Sequence, residues 1–139
     1  MIKVEQFLSS RSVVFMRGKA VVYESTDRGI KPLVAAVDSG IDYSGCDAAD
    51  RIVGKAAALL LVKGAVARVC AEVMSVPAKD VLSRYGIPFE YGSLVDNIVN
   101  RAGTDMCPME QAVLDVDNPD DAPAALVRQI EKMKKNFPQ

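Results

Sequence analysis

Histidine is absent from this chain of 139 residues. That removes the side chain most used as a general base near neutral pH and as a zinc ligand. Tryptophan is also absent, and aromatic residues make up only 6% of the chain. A core short of large rings must be built from Val, Leu, Ile and Ala, and small residues imply close packing between elements, as in helices laid tightly on a sheet. Charge of either sign is not in excess: 17 Lys and Arg face 18 Asp and Glu. Nucleic-acid binding takes its affinity from neutralised phosphates and leaves a basic stripe in the sequence. No such stripe is visible. Lys132, Lys134 and Lys135 form the one basic cluster. They fall at the end of an expected helix, where they offset the negative end of its dipole. A nucleic-acid partner is therefore not expected.

Long hydrophobic runs are missing too. The longest, 56–62, is far short of the about 20 residues that span a bilayer. The opening Met1-Ile2-Lys3-Val4-Glu5 lacks the basic-then-apolar pattern of a signal peptide. No membrane partner and a cytoplasmic location are expected. Cysteine is scarce: Cys46, Cys70 and Cys107 are odd in number and widely spaced, which fits reduced thiols and not a disulfide framework. They lack C-x2-C spacing, so no metal and no cofactor are expected.

What is present is an ordinary globular balance, 50% apolar and 25% charged, in a length that fits one domain over 1–139. The β-branched runs on either side of Arg17-Gly18 predict a hairpin. Residues 1–9 before it read as a short helix or lead-in. Pro32 suits a first helical turn, and 33–37 followed by Gly40 predicts a short helix with a glycine stop. Asp47 and Asp50 stand three apart before an apolar series at helical spacing, which predicts a long central helix over 47–63, ended by Gly64. Residues 66–74 read as a buried strand, with Arg68, Cys70 and Glu72 on one face. A helix over 77–85, a strand over 89–91 and a helix or strand over 94–101 follow. The series closes with a short helix over 108–114, an acidic turn over 117–121 and an amphipathic helix using Leu126, Ile130 and Met133.

The phrases Gly54-Lys55-Ala56-Ala57-Ala58, Met74-Ser75, Ile98-Val99-Asn100-Arg101 and Cys107-Pro108-Met109-Glu110 resemble those of an uncharacterised family of small bacterial proteins, a domain of unknown function. The resemblance covers most of the chain up to about Leu114. It implies an α/β fold similar to that of cytidine deaminases, a three-layer α-β-α arrangement with a mixed sheet opening on a β-hairpin, but without the zinc motifs. Cys70-Ala71-Glu72 imitates the deaminase triplet whose first residue binds zinc and whose Glu moves protons. In deaminases that triplet opens a helix, whereas here it falls in an expected strand. The expected helix starts hold Asp47-Ala48-Ala49 and Ser75-Val76-Pro77-Ala78, so the ligands of a zinc-bound hydroxide are missing.

The same resemblance implies that the two central helix starts face a common pocket, and free N–H groups there favour anions. Asp47, Asp50 and Lys55 would line it from the first helix and Ser75 from the second, with Asn97, Asn100 and Arg101 nearby. Each has a plainer reading. Ser75 is a good N-cap, Asp50 an ordinary first-turn acid, and Asn97, Asn100 and Arg101 a solvated polar face. Lys55, among Gly54 and three alanines, must reach water or a partner. Cys107 before Pro108 reads as an N-cap whose thiol the helix dipole would activate. Glu110, three residues on, resembles the returning acid of a capping box and opposes that activation. No histidine is available as its base.

Three functions remain open at this point. The first is a zinc-free deaminase-like domain binding a nucleotide or another small anionic metabolite. The second is an enzyme using Cys107 as nucleophile or redox thiol. The third is a non-catalytic module that forms a homo-oligomer by burying its sheet edges.

Overall fold

A hairpin, β1 (Val13–Arg17) and β2 (Ala20–Ser25), opens the described part of the chain, turning at Gly18 with φ +62. The computed structural model describes residues 8–100 and 102–136. The lead-in expected over 1–9 therefore lies outside this range apart from Leu8 and Ser9, and Arg101 lies outside it as well. Helix α1 (Lys31–Asp38) carries proline in its first turn and runs out towards Gly40, whose φ of +68 favours glycine.

The chain then departs from the sequence expectation. Residues 47–63 do not form one helix: Asp47–Val53 is strand β3 and only Lys55–Lys63 is helix α2. β3 is paired on both sides, antiparallel to β1 and parallel to β4 (Arg68–Ser75). A short apolar run flanked by two acids fits either period. Hydrogen bonding from both neighbours decides for the strand over the helix propensity of its alanines. Helix α3 (Val76–Arg84) leads to β5 (Phe89–Val95). Residues 94–100 are no helix, because Leu94 and Val95 finish β5 and the chain continues as a loop pinned by a bridge between Val99 and Met106. The short helix α4 (Pro108–Ala112), a 3-10 turn (Pro119–Asp121) and helix α5 (Ala122–Asn136) complete the order.

Among the described residues, five strands form one open, mixed sheet in the order β2-β1-β3-β4-β5, and with helices α1 to α5 it makes an α/β fold. Side chains alternate across the sheet as strand geometry requires. Phe15, Ala48 and Val69 form one register row and lie in the main core with α1, α2, α3 and α5. Val14, Ala49 and Cys70 form the next row and lie on the opposite face with Leu8. Helix α2 is buried at six successive positions from Ala56 to Leu61. It packs against α1, α3 and α5, which explains why its sequence is apolar all round.

Candidate functional site

Directly after β3, Gly54 is extended (φ −96, ψ −175) and serves as N-cap of α2 without a side chain to cap it. The missing cap is supplied from 55 residues away. One oxygen of Glu110 accepts the Lys55 N–H at 2.6 Å and the other accepts the Ala56 N–H at 2.9 Å. A β-carbon at position 54 would collide with this carboxylate and with Ile98. Glycine is needed there for closeness and not for an unusual backbone angle. Glu110 is only 8% exposed. Burial pushes its carboxyl up, while the two amides and the Lys55 ammonium pull it back. The α2 start therefore already holds an anion that the chain itself provides.

The Lys55 ammonium reaches past the clamp and donates to the Leu114 carbonyl at 3.0 Å. Two of its three protons remain available to a cleft of about 150 Å³ lined by Lys55, Pro77, Asp80, Val81, Arg84, Val116 and Asp117. Asp80 and Arg84 stand four apart on α3 and so project from one side of the helix. Among the described residues, no hydrogen bond or ion pair engages the side chains of Asp80, Arg84 or Asp117. Sequence reading passed over these three. The i, i+4 acid–base pair was the available signal, and it is indistinguishable from a solvated helix face until the 113–117 segment is seen to fold against it.

A larger hollow of about 300 Å³ lies beside Arg11, Glu24, Ser25, Thr26 and Asp27 at the end of the hairpin. Its polar groups are turned on one another: Arg11 pairs with Glu24 at 2.7 Å, and the Ser12 hydroxyl bonds the Ser25 and Asp27 carbonyls. That pattern fastens a chain end and leaves little to offer a ligand. The smaller cleft, with its uncommitted charges, is the better candidate.

The other expected site residues scatter. Asp47 begins β3, about 23 Å from the α2 start by strand rise, and faces Arg68 at 3.5 Å. Asp50 shares its register row with Val13 and Ala71 of the main core. Burial pushes its carboxyl up to about 8, against the pull of the Ile52 and Arg51 amides. Neither opens a helix, because the first helix start is Gly54-Lys55. Ser75 is fully buried and its hydroxyl accepts the Ala78 N–H at 3.1 Å, the geometry of an N-cap. Asn97 is exposed. Asn100 closes a loop, with Oδ1 accepting the Thr104 N–H at 3.0 Å. Among the described residues, Asn97 and Asn100 stand on no helix, and Arg101, expected beside them, lies outside that range.

Cys107 does cap α4 by position, but its thiol makes no capping bond. Its N–H donates to the Ile98 carbonyl at 2.9 Å, so the expected capping box is absent because Glu110 turns away to α2. Cys46 and Cys70 are buried free thiols, and burial is the largest effect raising both. Cys70-Ala71-Glu72 lies within β4, with Glu72 paired to Arg51. Among the described residues, no group of three or more His, Cys, Asp or Glu is placed to hold a metal ion.

Comparison with other proteins adds the lineage. No curated protein matches the chain. The crystal structure of a DUF1893 family protein (TM1506) from Thermotoga maritima is similar at a TM-score of 0.80 and 30% identity, over 91% of this chain and 84% of that one. The family described as TM1506, a domain of unknown function (DUF1893), matches residues 4–130. With most of its length matched and the fold shared, the chain belongs to the DUF1893 family.

Proposed function

We propose that this domain binds a small zwitterionic metabolite in the cleft beside the α2 start, on a deaminase-like fold that carries no zinc. The observation that carries the reading is that two cationic residues, Lys55 and Arg84, and two acidic ones, Asp80 and Asp117, line one cleft. Opposed charges of equal number suit a ligand bearing an ammonium and a carboxylate. Arg84 brings a planar fork of donors for the carboxylate. The cleft volume of about 150 Å³ is below the roughly 300–1,000 Å³ of common ligand sites. Size therefore favours an amino-acid-sized ligand over a nucleotide. The Glu110 carboxylate at the α2 start points the same way, because it fills the place where a phosphate would bind. The deaminase-like part of the reading draws its support from the order hairpin, helix, strand, helix, strand.

The test is a thermal-shift panel of free amino acids, small keto acids and mononucleotides, run on the wild type and on Lys55→Ala and Arg84→Ala. A zwitterionic ligand at a hundredfold excess over Kd stabilises the wild type by about 2.7 kcal/mol and neither variant. Stabilisation by a mononucleotide alone, or equal stabilisation of all three proteins, rejects the reading.

A further inference from the structure

We propose that the outer edge of β5 pairs antiparallel with β5 of a second copy of this chain, joining two sheets into one. Among the described residues, β5 is an edge of the sheet, with β4 as its one neighbour. The Val69 N–H bonds to the Pro88 carbonyl, which fixes the alternation along β5. Even-numbered residues turn their peptide groups to β4, and Phe89, Tyr91, Ser93 and Val95 turn theirs outward. Native sheets protect such edges with proline, lysine, a bulge or a covering element. β5 reads FEYGSLV and has none of the first two. Its register with β4 runs through without a slip. The opposite edge is different: the β1–β2 register shifts between Phe15 and Met16, and Glu24 is tied to Arg11. One edge is blunted and the other is left regular, with Tyr91 38% and Leu94 39% exposed.

The occupant follows from the strand's own pattern. The one two-fold register that pairs all seven residues is centred on Gly92. It sets Phe89 opposite Val95 of the partner subunit, Tyr91 opposite Ser93 of the partner subunit, and Glu90 opposite Leu94 of the partner subunit. The first two pairs carry the outward peptide groups and exchange the hydrogen bonds. Gly92 meets its own symmetry mate in the close, non-bonded pair at the two-fold, where no side chains meet across it. Glu90 is the single charged residue of β5, and this register keeps the two copies of it apart. The interface is isologous, as closed dimers require. A strand pair of this length, about 24 Å, covers less than the roughly 800 Å² per partner of a tight complex. The dimer therefore dissociates on dilution.

Sedimentation equilibrium from low micromolar to sub-millimolar concentration tests this on the wild type, Leu94→Glu and Leu94→Lys, with far-UV circular dichroism to confirm that each is folded. The wild type passes from monomer to dimer across the series. Leu94→Glu sets a carboxylate opposite Glu90 of the partner subunit in each of two symmetry-related pairs and dimerises roughly 2- to 30-fold more weakly than Leu94→Lys, which sets an ammonium there. High salt narrows that gap. A wild type that stays monomeric throughout, its edge then unused or kept for a foreign strand, overturns the proposal. So does a dimer that responds equally to both substitutions.

Discussion

A carboxylate taken out of water needs partners, and at the α2 start Glu110 finds two backbone amides that would otherwise be unsatisfied. Replacing it with alanine leaves those amides without a protein acceptor. Glu110→Ala is expected to lower unfolding stability by about 1–3 kcal/mol, measured by urea titration. Gly54→Ala attacks the same contact from the other side and costs about 1–3 kcal/mol through overpacking; the double variant costs less than the sum, since both remove one interaction. Asp50 gives the pH signature. Its folded pKa of about 8 lies above the unfolded value near 3.9. Between those limits the unfolded state binds fewer protons, so stability falls as pH rises from about 4 to 8. Asp50→Asn removes this dependence, and urea midpoints at pH 5 and pH 8 then move closer together than in the wild type. Equal wild-type midpoints at the two values would contradict the assignment.

Among the elements, helices α2 and α3 are fastened by different devices. α3 begins at Ser75, which caps Ala78, and Ser75→Ala is expected to cost about 1 kcal/mol as a lowered melting temperature with an unchanged fold by circular dichroism. α2 lacks a local cap and depends on a residue 55 positions away. That difference explains what the sequence made legible. The hairpin, α1, β4, α3 and α5 are marked by local chemistry: turn residues at Gly18, proline at helix starts, alternation along β4. β3 is not legible in the sequence, because its identity rests on pairing with β1 and β4, which no window of neighbouring residues contains. Lys55 stands out by its apolar surroundings and Glu110 by its spacing to Cys107, although the bonds Glu110 makes are to α2. Asp80, Arg84 and Asp117 become a site only when separate segments meet.

For the whole molecule, the proposed dimer and the proposed ligand site are separable, since the cleft lies between α2, α3 and the 116–117 segment and β5 pairs on its far edge. Dimerisation makes the melting temperature rise with protein concentration; Leu94→Glu is expected to flatten that rise while leaving ligand stabilisation intact. The Glu110 clamp has a consequence of another kind. It ties the segment after β5 to the first half of the chain, together with the Lys55–Leu114 bond and the buried Leu126 of α5. A protease that nicks the exposed loop around Asn97 would cut the chain without releasing its end. The two fragments would stay together as one particle, and under denaturing conditions they would part.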